Sequence, residues 1–165
     1  MADVTIETVD PDSPVAQRLV DDYTMHLTLT VPNGFDCATD SPPPAGAFEW
    51  PSGRFLVMFE SDPSGSRERT PIGCGAVWRM EPGVAEIRRM WMVPSRQGRG
   101  HGRRVLTALE EVAVEMGCDI ARLDSMRALE AAVSMYRSQG YTEIEDYNNN
   151  PNATIWMQRS LIGEG

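Results

Sequence analysis

The sequence predicts a mixed α/β (α+β) domain in which a central sheet is flanked by helices. Three observations predict it. Between residues 54 and 93, three strand-like runs are separated only by turns. From Gly102 the apolar spacing changes to a helical period. Short strand-like and helical runs then alternate to the end of the chain.

The elements follow in order. Val4, Ile6 and Thr8 alternate with Thr5 and Glu7, which makes Val4–Val9 a strand. Ser13 before Pro14 reads as an N-cap with proline in the first helical turn. Val15, Leu19, Val20 and Tyr23 then fall at helical spacing. Between residues 31 and 53 the pattern collapses, since Ser41-Pro42-Pro43-Pro44-Ala45-Gly46 suits neither a helix nor a central strand. This long loop holds Phe35, Asp36, Asp40, Phe48, Glu49 and Trp50, and loops of such length are often functional or mobile. Residues 54–60, 72–80 and 84–93 read as an antiparallel meander, with turns at 61–70 and at Glu81-Pro82-Gly83. Val105, Leu106, Leu109, Val112, Ala113 and Met116 share one helical face, and Gly117 closes that helix. A strand at 119–125 follows, so the strand–helix–strand unit implies parallel pairing through a right-handed crossover. Leu129, Ala132, Val133 and Tyr136 outline a last helix ending at Gly140. Residues 141–145 and 154–159 read as a closing pair of strands around Asn148-Asn149-Asn150-Pro151.

Composition narrows the function. The chain has 165 residues, one domain's worth (1–165), enough to bury a core without a disulfide or metal staple. Its net charge of −9 argues against nucleic acid and anionic membranes as partners. All 15 basic residues are arginine, so neither a Walker lysine nor a Schiff-base lysine exists. Cys37, Cys74 and Cys118 lack the spacing of a thiolate metal site, and buried free thiols are expected. His26 and His101 are the only imidazoles, too few for a His-based zinc hydrolase, and no metal is expected. The N-terminal residues lack a basic region followed by an apolar one, and the longest apolar runs are far too short for a bilayer, so a cytoplasmic location is expected.

One segment carries chemistry: Pro94-Ser95-Arg96-Gln97-Gly98-Arg99-Gly100-His101-Gly102-Arg103-Arg104. It joins a predicted strand to a predicted helix. Alternating glycines let a backbone turn sharply and approach a ligand. The helix N-terminus adds unpaired N–H groups and a positive dipole end. Arg88, Arg89, Arg96, Arg99, Arg103 and Arg104 crowd the same stretch, and no acid lies between Glu86 and Glu110. A bound phosphate or pyrophosphate would account for this cluster; a purely structural loop is the plain alternative. The loop comes too late in the chain for a Rossmann fingerprint and lacks the lysine of a Walker motif.

Gln97-Gly98-Arg99-Gly100-His101-Gly102, the strand ending at Val93-Pro94, the helix closed by Gly117 and the segment Ala132-Val133-Ser134-Met135-Tyr136-Arg137-Ser138-Gln139-Gly140-Tyr141 come in a fixed order. That order resembles the GCN5-related N-acetyltransferase (GNAT) superfamily from about residue 54 to 161. The resemblance implies a GNAT fold, with a mixed central sheet of about six to seven strands and a glycine-rich pyrophosphate loop. It implies acetyl-CoA as acyl donor bound by 54–161, with 1–53 on the acceptor side. Amides from Gln97 to Gly102 would cradle the pyrophosphate, helped by Arg96, Arg99 or Arg103. Met90, Trp91 and Met92 would run beside the pantetheine arm, and their unclear alternation fits a β-bulge there. An N–H in that stretch would face the thioester oxygen and stabilise the tetrahedral oxyanion. The family's asparagine before the last helix is missing from Asp124-Ser125-Met126-Arg127-Ala128.

The resemblance makes Tyr136 the acid for the departing thiolate; a ring packed in the core is the other reading. It offers Glu86 as a base, often through water; a solvated strand-end charge paired with Arg88 is the alternative. His101 belongs to the loop turn more than to catalysis. The implied reaction is transfer of acetyl to a primary amine, with a small-molecule acceptor favoured. The alternative is a catalytically silent acyl-CoA sensor of the same fold. A homodimer is compatible with either.

Overall fold

The computed structural model describes residues 3–31 and 42–162. Phe35, Asp36, Cys37 and Asp40 fall outside the described residues. The elements run β1 (Val4–Val9), α1 (Pro14–Thr30), β2 (Gly53–Ser61), β3 (Arg69–Glu81), β4 (Val84–Met92), α2 (His101–Glu115), β5 (Ile120–Ser125), α3 (Glu130–Ser138), β6 (Thr142–Ile144) and β7 (Ile155–Ser160). A single 3₁₀ turn, Pro94–Arg96, links β4 to the loop before α2. Ser13 caps α1 as expected, its side chain accepting from the Ala16 N–H.

β3 begins at Arg69, three residues before the apolar alternation starts. Arg69, Thr70 and Pro71 pair with Ser61, Glu60 and Phe59 at the hairpin's outer end, where exposure removes the hydrophobic signal. α2 begins at His101, one residue earlier than its first apolar face suggests.

Among the described residues, seven strands form one sheet in the order β1-β2-β3-β4-β5-β7-β6. Period-2 alternation gives it two apolar faces. Leu56, Met58, Val77, Ala85, Ile87 and Leu123 pack with Val105, Leu106 and Leu109 of α2. Phe55, Val57, Cys74, Ala76 and Trp91 pack with Ala16 and Leu19 of α1. Cys74 and Cys118 are buried free thiols. No helix among the described residues is long and apolar enough to cross a membrane.

Two irregularities in β4 create the site. The first is a bulge. Cys74 faces Trp91 and Ala76 faces Arg88, so Arg89 and Met90 together oppose Gly75 alone. Arg89 takes a left-handed backbone, φ 57°. A Cβ on Gly75 would lie 2.6 Å from Leu109 Cδ1, so α2 packs straight onto the strand backbone here. The second is a splay. β4 and β5 form the sheet's parallel pair, but only over Val84↔Ile120, Ala85↔Ala121 and Glu86↔Arg122. Beyond Glu86, β4 follows β3 up to Gly73↔Met92. β5 instead follows β7 up to Ser125↔Ile155.

Candidate active site

The splay opens a cavity of about 720 Å³. Met90, Trp91 and Met92 form the β4 wall, and Leu123, Asp124 and Ser125 the β5 wall. Tyr136 closes it from α3, and Tyr23 and His26 from α1. Along the β4 wall, residues 87–92 meet no strand on the β5 side among the described residues. With that side left unpaired by any described strand, an extended ligand could lie along it, although the Met92 carbonyl already accepts from Gln97 and the Arg89 carbonyl from the Cys74 thiol.

Gly98, Gly100 and Gly102 line the mouth. Gly98 and Gly100 have φ of 77° and 82°, the left-handed region that side chains rarely adopt, and a Cβ on either would meet nothing within 4 Å. Gly100 is the N-cap of α2, so no side chain caps that helix, and its first turn contains no acid. The first-turn amides thus lack a side-chain cap, a setting that suits an anion such as a diphosphate.

The expected phosphate-binding side chains divide into two groups. Arg96 lines the cavity but is clasped by Glu60, and Gln97 lines it while donating to the Met92 carbonyl at 2.9 Å. Arg103 also lines the cavity; its guanidinium donates to Ser138 Oγ at 2.7 Å and Gln139 Oε1 at 3.3 Å. Arg99 and His101 do not line it. The His101 ring has a buried Nδ1 without a partner among the described residues. Burial, then Arg104 and Arg99, hold this imidazole below its usual range.

Tyr136 is 6% exposed and meets the Tyr141 ring edge-on at 6.0 Å. Burial, with Tyr23 and Asp124 nearby, pushes its phenol well above the usual value, so it stays protonated at neutral pH. The ring is packed as the second reading expects, and the same residue also lines the cavity.

Glu86 is buried at 3% exposure and does not line the cavity. It is no solvated strand-end charge. Its Oε1 accepts from Trp78 Nε1 at 2.8 Å and Arg88 at 3.3 Å. Its Oε2 accepts from the Tyr147 hydroxyl at 2.7 Å and Asn148 Nδ2 at 3.2 Å. The pairing with Arg88 is thus present within a buried network.

Two carboxylates line the cavity, the exposed Glu130 and the half-buried Asp124, and the sequence marks Asp124 only as part of the turn that lacks the family's asparagine. Asn148 Nδ2 donates to Asp124 Oδ2 at 2.6 Å, and Asn150 Nδ2 at 3.2 Å. Burial pushes this carboxyl above the usual range, against the pull of the two amides and Arg88. Alternation along β5 puts Asp124 on the same face as Arg122, the partner of Glu86, one signal that could have revealed it. Cys74, by contrast, has a thiol pushed up to about 12 by burial and offers no nucleophile.

The model of the Acetyltransferase (GNAT) family matches residues 21–141. A protein of Azospirillum brasilense named IAA acetyltransferase is 28% identical over 165 residues, covering 98% of this chain and 100% of its own length. Among solved structures, a GNAT-family acetyltransferase of Staphylococcus aureus Mu50 superposes with a TM-score of 0.75 at 13% identity, covering 96% of this chain and 99% of that one. The Salmonella typhimurium protein yncA, solved with its cofactor acetyl-CoA, gives a TM-score of 0.67 at 17% identity over 99% and 96% of the two chains.

Proposed function

The chain belongs to the acetyltransferase (GNAT) family of acetyl-CoA-dependent N-acyltransferases, and on that premise we propose that it acetylates a primary amine of a small molecule by direct attack on the thioester. The observation that carries this reading is the splay. It sets a strand edge, 87–92, that β5 leaves after Glu86↔Arg122 next to a helix N-terminus at Gly100 with no side-chain cap. An extended arm ending in a diphosphate matches both.

In this reading the amides from Gln97 to Gly102 hold the pyrophosphate, and Arg99 and Arg103 supply nearby positive charge. Arg96 contributes less, because Glu60 already holds it. The β4 edge at Met90–Met92 pairs with the pantetheine arm, and an N–H of the bulge faces the thioester oxygen. The acceptor nitrogen loses a proton before it attacks, because an ammonium has no lone pair. As the C–S bond breaks, the Tyr136 hydroxyl passes its proton to the thiolate and regains one from the nitrogen. Glu86 lies behind the wall, so any proton it takes passes through water; Glu86→Gln should then lower kcat without changing acetyl-CoA affinity.

The test is thiol release from acetyl-CoA across a panel of amino acids, polyamines, aminoglycosides and peptide N-termini. Release with any amine supports transfer. Tight acetyl-CoA binding with no release on the whole panel would leave a sensor instead.

A further inference from the structure

The β4 bulge has a chemical result at the acceptor end. Successive residues of a regular strand point to opposite faces. Here Ile87 and Met90 both pack into the core beneath α2. Arg88 and Arg89, between them, both turn the other way. Arg88 reaches Glu86, on the face away from α2. Arg89 sits by the Phe48 ring, its guanidinium carbon 5.9 Å from the centroid, beside the cluster under α1. The left-handed backbone of Arg89, which few residues other than glycine adopt, is what breaks the alternation.

Both arginines line the cavity. Two arginines in one cavity wall, Arg88 paired with Glu86 and Arg89 beside Phe48, run against the net charge of −9. They are also remote from the diphosphate cradle. Arg89 precedes Met92 by three residues, about 10 Å of strand, and the glycine loop lies beyond Met92. Trp91 lines the same cavity, and its buried indole N–H has no acceptor among the described residues. A buried donor of this kind wants an oxygen. Across the splay, Asp124 supplies the opposite charge.

We propose that the acceptor is a small amino acid-like molecule carrying an anionic group as well as its amine. The anion is held by Arg89 and Arg88 with the Trp91 N–H, and the ammonium rests against Asp124. This rests on the acetyl-transfer reading. It also sets polyamines aside, because the arginines repel a second ammonium.

The test compares matched acceptors with acetyl-CoA: amino acids with aliphatic, aromatic, acidic and basic side chains, the corresponding amino-acid amides, the decarboxylated amines, and a diamine. The amides keep the shape and lose the anion. The free acids should exceed their amides in kcat/KM by about tenfold or more for at least one side chain. Arg89→Asn tolerates the left-handed backbone. It should lower kcat/KM for the free acid about tenfold more than for the amide, while Arg89→Lys keeps the preference. A merely structural role would lower both substrates alike. Equal or better turnover of the amides or amines in the wild-type protein overturns this inference and leaves acetyl transfer standing. So does an unchanged ratio in Arg89→Asn. Absence of thiol release with every acceptor overturns the transfer reading itself, and this inference with it.

Discussion

Arg96 clasps Glu60 through two parallel hydrogen bonds, Nε to Oε2 at 2.9 Å and Nη2 to Oε1 at 2.7 Å. The pair ties the 3₁₀ turn before the glycine loop to the end of β2. Fork geometry fixes direction as well as distance, so the loop leaves the sheet from a defined point. One of the arginines around the loop is therefore committed to structure before any ligand arrives.

The salt dependence of acetyl-CoA binding should be correspondingly modest. Arg103 is already oriented by Ser138 and Gln139, and Arg99 stands on the exposed loop. Screening acts on those two and leaves the backbone amides nearly untouched. Calorimetry between low and high salt should show weakening in the wild-type protein, and Arg103→Gln should flatten the slope. A wild-type response that is already flat would mean the amides hold the phosphates alone.

Replacing Glu60 should produce a pH-dependent loss of stability. The hydrogen bond from Arg96 holds the Glu60 carboxyl below its usual range. A depressed carboxylate contributes stability above its unfolded pKa, about 4.3, and loses it as pH falls through the folded value. Glu60→Gln should thus melt earlier than wild type from about pH 8 down to pH 5, with the gap closing below about pH 4. A constant gap down to pH 3 would assign the effect to packing.

Much of this architecture was legible in local pattern. The face of Val105, Leu109 and Val112 and the alternation along β2 to β4 are short-range signals. So are the glycines of the loop, because left-handed turns need them. What escaped depends on distant neighbours. Glu86 is held by Tyr147 and Asn148, 61 and 62 positions away. Arg96 meets Glu60 36 positions away. Asp124 faces a cavity only because β4 and β5 part after Glu86↔Arg122, a tertiary event with no local signature.

Gly100→Val should weaken acetyl-CoA binding at least tenfold, about 1.4 kcal/mol. The added Cβ meets no protein atom within 4 Å, so its cost within the fold is the backbone at φ 82°. In the proposed cradle, the space it fills is where the phosphates would lie. Gly100→Asn separates the two effects, since asparagine tolerates the left-handed region better. It should fold more stably than the valine variant and still bind weakly. Full affinity in a folded Gly100→Asn protein would remove this position from the cradle.

Tyr136→Phe isolates the hydroxyl. The ring is 6% exposed and packed against Tyr141, and phenylalanine keeps that contact, so the melting temperature should stay close to wild type. Loss of the acid should lower kcat about 10²–10⁴-fold, with acetyl-CoA affinity within about twofold. Single-turnover mixing should place the loss in the chemical step. The wild-type pH profile offers an independent check. Burial raises the phenol above its usual value, so ionisation of Tyr136 should cause no alkaline fall in rate below about pH 10. A basic limb near neutrality that disappears in Tyr136→Phe would contradict that burial. A wild-type single-turnover rate in the variant would take the residue out of the mechanism and leave its ring a purely structural part of the cavity wall.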